Sequence, residues 1–368
     1  MNRPIRKGKK KRIPGLNSLR AMAVLGVLFY HACPQVIKGG YFGVITFFVI
    51  SGYLSAYGTV TQMKEGKWSV LQHYKKRFLR IYPSLITVIF ASIGALALID
   101  IMRLVNTQEE VVSVLLGYNN FWQIRMQADY FANLTTTSPF THFWYIAILI
   151  QFEVVWPLIA GGYYLIRKKY GKFNAMSVFL TFTFLSFFVM PVSILIKRDI
   201  SITVLYYNTF MRIFSLLAGA MAGLIKAEGL RISVFKFRNP MVTRILYILF
   251  SVATVVIYIF ADGASMPVYI FGMQLYTLAV CVMIDIIVQN RRHLRYMIDT
   301  NISKWLSTYS YEVYLWQYPV LFLTGIMLKQ DAWYALTGQI ILIFILSVWL
   351  HNMPKIIGSL FGPKKKAA

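Results

Sequence analysis

Apolar positions along this 368-residue chain gather into ten runs. They lie near residues 17–36, 41–61, 82–101, 143–166, 174–196, 206–225, 243–261, 267–289, 306–328 and 334–353. At about 1.5 Å of rise per residue, a run of about 20 crosses the ~30 Å hydrocarbon core as a helix. Gly, Pro or Asn stands at most run ends, where turn chemistry breaks a helix. The pattern predicts an all-α, polytopic transmembrane helical bundle of about ten spans. It reads as a single domain over 1–368, with basic tails at 1–15 and 354–368 and one long extracytoplasmic connection at 102–142.

Composition agrees. Hydrophobic residues make up 58% of the chain and charged residues 14%, with a mean hydropathy of +0.58, against about 25% charged in a soluble domain. The net charge of +25 would suit nucleic acid, but its placement points elsewhere. Thirty Lys and Arg residues fall in alternate connections and the two tails, and six in the remaining connections. This bias puts both termini in the cytoplasm and predicts a multi-pass cell-membrane protein whose partner is lipid, with no nucleic acid. The basic start resembles a signal sequence without a small-residue cleavage site, so the first run reads as an uncleaved span. Cys33 and Cys281 lie in or beside different runs and suggest neither a disulfide framework nor a metal site. The 102–142 connection carries Tyr118-Asn119-Asn120-Phe121-Trp122-Gln123. Amides and rings together suit sugar contacts, and equally an interfacial aromatic belt.

Polar residues within apolar runs are costly and therefore informative. Arg20 and His31 occupy the first run, eleven residues apart, which puts them on one helix face roughly 16 Å apart. The plainer reading has Arg20 snorkelling to lipid phosphate and His31 packing. In the second run, Ser51 and Gly52 read as a close helix approach rather than Ser51 as a nucleophile. Arg77 and Arg80 are spaced i, i+3, and two guanidinium forks suit phosphates. An ordinary cytoplasmic basic cluster would look the same. Cys33, Tyr206, Asp285 and Glu312 are weaker candidates with bland readings.

Taken together these segments resemble the integral-membrane acyltransferase family 3. The resemblance runs from Arg20 and His31 through Phe47-Phe48-Val49-Ile50-Ser51-Gly52-Tyr53-Leu54 and Arg77-x-x-Arg80 to His142-Phe143-Trp144 with Gln151. It continues in Tyr206-Tyr207-Asn208-Thr209 with Arg212 and in Tyr314-Leu315-Trp316-Gln317-Tyr318-Pro319. Within the family, the chain looks most like the membrane domain of Gram-positive peptidoglycan O-acetyltransferases. The resemblance implies acetyl-CoA as donor substrate, no bound cofactor, and a surface-glycan hydroxyl as acceptor. It implies His31 as catalytic base or transient acyl carrier supported by Arg20, and Arg77 and Arg80 as donor-binding residues. His142, Trp144, Glu153, Tyr207 and Arg212 follow as acceptor or supporting residues. A separate extracytoplasmic transferase or esterase is a further expected partner.

Three departures qualify this. Leu149 stands where the family usually has a Glu; Glu153, one turn on, could take over part of that role or simply pair with a base. Phe210 stands near a frequent Asp, and no extracytoplasmic SGNH-type domain is seen before Ala368. Two other classes remain open. A transporter or flippase of a lipid-linked glycan should show repeats or matched broken helices, and neither is visible. A degenerate accessory subunit would explain Leu149 and Phe210, but Arg20, His31, Arg77 and Arg80 are all retained.

Overall fold

The structure is a computed structural model describing residues 15–104, 107–128, 131, 138–230, 235–327 and 333–361, with side chains to residue 353. The expected N-terminal tail lies outside the described residues except for Gly15, whereas residues 354–361 of the expected C-terminal tail continue the last helix. Every regular element among these residues is helical. In order they are α1 (Leu16–Ala32), α2 (Phe42–Lys64), α3 (Val70–Ile99), α4 (Ile101–Leu104), α5 (Gln108–Leu115), α6 (Asn119–Arg125), α7 (Trp144–Tyr170), α8 (Lys172–Ile196), α9 (Ile202–Tyr207), α10 (Thr209–Ala227), α11 (Pro240–Phe260), α12 (Met273–Gln289), α13 (Arg291–Ile298), α14 (Asn301–Met327) and α15 (Trp333–Phe361).

Eight helical stretches are long and apolar enough to cross a membrane. The first and ninth expected runs are also helical but are not among the eight. Helix α1 has only 17 residues, and α14 intersperses Ser307, Ser310, Glu312 and Gln317 among its apolar positions. Polar residues in a spanning helix are tolerable where they are buried in protein, and these four are buried.

Two expectations need correction. Helix α3 begins at Val70, not near 82, because Ser69 caps it by accepting a hydrogen bond from the Gln72 amide at 3.4 Å. Its 30 residues make a rod of about 45 Å, so Arg77 and Arg80 ride on the helix itself. The 102–142 connection, anticipated only as a loop, holds α5 and α6 and a 3-10 turn at Thr141–Phe143.

Helices α2 and α7 are the most enclosed, with 72% and 67% of their apolar stretches buried, against 22% for α8, α11 and α15. The centre is α2 on α10, with α1 packed on α2 and α14, and α14 on α3 and α15. The α2–α10 contact is backbone on backbone. A methyl on Gly52 would overlap the carbonyl oxygen of Leu216, and one on Gly219 that of Val49. Small residues admit such approach without solvent to drive it, which bears out the expectation for Gly52.

Candidate active site

Helix α1 carries both polar residues of the first run. His31, near its C-terminus, is buried, and Arg20 is half-buried. The His31 imidazole meets Tyr30 and Tyr318 edge-on, with ring centroids at 5.2 and 5.1 Å. The fully buried carboxamide of Gln317 lies beside it.

A second imidazole stands close by. His142 lies in the 3-10 turn leading into α7 and stacks on Tyr318 at 5.0 Å and 12°. Its Nε2 is 3.3 Å from the Leu315 carbonyl oxygen, and the Tyr314 hydroxyl donates to the His142 carbonyl at 2.5 Å. A carbonyl only accepts, so Nε2 carries the proton and the neutral ring has its lone pair on Nδ1. That Nδ1 is buried with no hydrogen-bond partner among the described residues. Tyr318 thus touches both imidazoles.

From His142 the rings continue toward the basic end of α3. Tyr314 lies 5.4 Å from His142, and Tyr145 lies 5.1 Å from Tyr314. Arg80 and Arg20 are close enough to the Tyr145 hydroxyl to act on it electrostatically, and Ser51 hydrogen-bonds to it. The rings therefore form a column from the Arg20 and Arg80 region to His31. Tyr311, Tyr314 and Tyr318 are spaced i, i+3, i+7 and share a face of α14. That spacing is visible in the sequence.

The two paired arginines have different surroundings. Arg77 Nε sits 2.9 Å from Glu153 Oε2, and its Nη2 donates to Ser55 Oγ at 2.7 Å. Ser55 donates to Glu153 Oε1 at 2.7 Å, and His73 Nε2 lies 3.2 Å from Oε2. Glu153 therefore pairs with a base, the plainer of its two readings. A buried carboxylate needs such partners, because desolvating it alone costs several kcal/mol. Ser55 and His73 were missed from sequence, since nothing local to either marks the contact. Arg80 is exposed and outside this network.

A third cluster flanks His31. Arg212 on α10 is 1% exposed, and its guanidinium lies over the rings of Tyr206 at 4.6 Å and Trp144 at 5.4 Å. Its Nη1 also contacts Met273 Sδ. Ring faces carry negative potential and can hold a desolvated cation. Tyr206 and Tyr207, open to an interfacial reading in the sequence, are fully buried. Tyr206 connects back to His31 through Tyr41 and Tyr30, at 6.1, 5.6 and 5.2 Å. Of the sequence-derived candidates, the structure gathers His31, His142, Trp144, Tyr207 and Arg212 around one buried centre. Arg77, Arg80 and Glu153 lie at the other end of the ring column. Among the described residues no group of three or more His, Cys, Asp or Glu could hold a metal ion.

Apolar helices of spanning length that enclose two imidazoles and a guanidinium define an integral membrane protein with a buried polar centre. A family model described as an acyltransferase domain matches residues 13–352, and the chain belongs to that acyltransferase family. It is 28% identical over 321 residues to "Putative peptidoglycan O-acetyltransferase YrhL" of Bacillus subtilis, covering 85% of this chain and 49% of that protein. It is 25% identical over 321 residues to "Peptidoglycan O-acetyltransferase OatA" of Listeria monocytogenes, covering 87% and 51%. The chain thus spans about half the length of these relatives. No solved structure matches it.

Proposed function

We propose that this chain moves an acetyl group from cytoplasmic acetyl-CoA to a hydroxyl of an extracytoplasmic glycan, peptidoglycan or another surface polysaccharide. The observation that carries the reading is the ring column joining the Arg20 and Arg80 region to His31 and His142. Ten spans with both termini in the cytoplasm, from the distribution of Lys and Arg, put Arg77 and Arg80 on the inner side. The names of the relatives support the acetyl group and the glycan.

The donor headgroup cannot cross about 30 Å of hydrocarbon. Arg80 is the phosphate contact, while Arg77 is shaped by its carboxylate partner and backs it. The acetyl thioester enters the column, whose rings exclude water and so protect the thioester from hydrolysis. His31 takes the proton of the glycan hydroxyl as that oxygen bonds to the thioester carbonyl carbon. The carbon–sulfur bond breaks, and the departing thiolate takes a proton. Transient acylation of His31 would split the same transfer into two steps. Arg20 and His142 act as positioning residues, and Arg212 holds Trp144 and Tyr206 against the site.

The test is deletion of the gene, digestion of wall and capsule, and mass spectrometry of ester-linked acetate. Complementation with the wild-type gene restores the acetate, and complementation with His31→Ala does not, at equal protein in the membrane. Unchanged acetate in every glycan fraction of the deletion strain refutes the proposal.

A further inference from the structure

The 102–142 connection carries a cleft that no step above uses. Its cavity is about 590 Å³ and is lined by Gln108 and Glu109 of α5, Tyr118, and Phe121, Trp122 and Arg125 of α6. Ligand clefts commonly measure about 300–1,000 Å³.

Helix α6 has two chemically distinct faces. Phe121, Trp122 and Arg125 face the cleft, while Asn119, Asn120 and Gln123 are buried. The buried amides fasten the helix. Asn120 Nδ2 donates to the Tyr207 carbonyl at 3.0 Å and to Thr209 Oγ1 at 2.9 Å. Gln151 on α7 donates to Asn120 Oδ1 at 2.8 Å and accepts from Thr209 Oγ1 at 2.5 Å. Gln123 donates to Glu110 Oε1 at 2.8 Å. The rings therefore stand on a helix tied to Tyr207, within the cluster that flanks His31.

We propose that this cleft binds a stretch of the acceptor glycan, an N-acetylhexosamine strand. The identity of the acceptor rests on the acyltransferase reading above, but the binding can be measured without turnover. Sugar rings present apolar C–H faces that stack on aromatic side chains, as other apolar faces do. Their hydroxyl and acetamido groups need donors and acceptors side by side, which Arg125, Glu109 and the Gln108 carboxamide supply. The Glu109 carboxylate opposes an anionic lipid headgroup, and Gln108 and Arg125 add polar groups that an acyl chain leaves unmet, although Val112 and three rings keep the lining mainly apolar.

The probe is chitotetraose, titrated by calorimetry into the full chain in nanodiscs of zwitterionic lipid. Wild-type protein shows saturable binding. Trp122→Ala weakens it about tenfold, the loss of one stacked ring; Trp122→Phe keeps most of it; Phe173→Ala, an exposed ring on α8, leaves it unchanged. No saturable binding by wild type, or equal binding by folded Trp122→Ala, overturns the proposal. So does a Trp122→Ala protein that binds the glycan normally but loses thermal stabilisation by phosphatidylglycerol, which would make the cleft a lipid anchor. Acetyl transfer by the same wild-type preparation is scored separately. Glycan binding without transfer removes the enzymatic reading and leaves the cleft, and transfer with unaltered binding by Trp122→Ala does the reverse.

Discussion

Glu110 makes the stability of the 102–142 connection depend on pH. It lies in α5, outside the eight long apolar helices, and is 1% exposed. Burial pushes its carboxyl up from an ordinary 4.5 to about 7, against the opposing hydrogen bonds from Ser138, Gln123 and Asn119. In the folded connection Glu110 thus keeps its proton at pH values where the opened segment has lost it. Between 4.5 and about 7 the folded form binds more protons, so stability falls as pH rises. The contribution is whole below 4.5 and gone above about 7. At about 1.4 kcal/mol per pH unit the loss is about 3 kcal/mol, over a hundredfold in the opening equilibrium.

Ser138 ties this to the site. Its hydroxyl donates to Glu110 Oε2 and accepts from the Phe140 amide at 3.0 Å, and four residues later the chain reaches His142. The assay is amide hydrogen exchange in nanodiscs from pH 4 to 8, read as protection factors so that intrinsic rates cancel. Amides of α6 and of 138–142 lose protection up to about a hundredfold between pH 4.5 and 7 in wild type. Glu110→Gln, which keeps an oxygen for Gln123 but cannot ionise, stays flat. A flat wild-type profile, or an equal slope in Glu110→Gln, refutes the reasoning.

Further outcomes follow from the other clusters. Arg77→Gln strands the Glu153 carboxylate, so the melting temperature falls; about 2 kcal/mol is expected, below the 3–5 of a fully buried pair because the Arg77 side chain is 22% exposed. Arg80→Gln leaves the melting temperature unchanged and raises the KM for acetyl-CoA, so scanning fluorimetry and donor titration separate the two arginines. Gly219→Leu, which collides with the Val49 carbonyl, lowers the monodisperse yield in size-exclusion chromatography, whereas Gly94→Leu, with open space around it, does not.

Much of this was legible because it is periodic or compositional. Apolar runs near 20 residues located the long helices, and Gly52 declared a close contact. Where a polar residue lacked such a pattern, the sequence was silent. The start of α3 turned on the single capping hydroxyl of Ser69, which an apolar window cannot see. The partner of Glu153 lies on another helix, so the choice between a supporting and a pairing role needed three dimensions. The same holds for Arg212, whose stacking on the Tyr206 and Trp144 rings joins three elements. His142 stands in a recognisable His-Phe-Trp segment, but its tautomer depends on the carbonyl of Leu315, 173 residues away.

The guanidinium groups of Arg77 and Arg212 make different contacts, and the difference bears on the proposed chemistry. At the α3 end Arg77 is met by a carboxylate, a fixed counter-charge that suits a region where charged phosphates come and go. Beside His31, Arg212 is met by Tyr206 and Trp144 rings. Ring faces orient a planar cation, and the same Tyr206 ring reaches His31 through Tyr41 and Tyr30. On the acyltransferase reading, the position of the Arg212 guanidinium is therefore coupled to that of the imidazole through aromatic packing, so a change in any of these rings is felt at both.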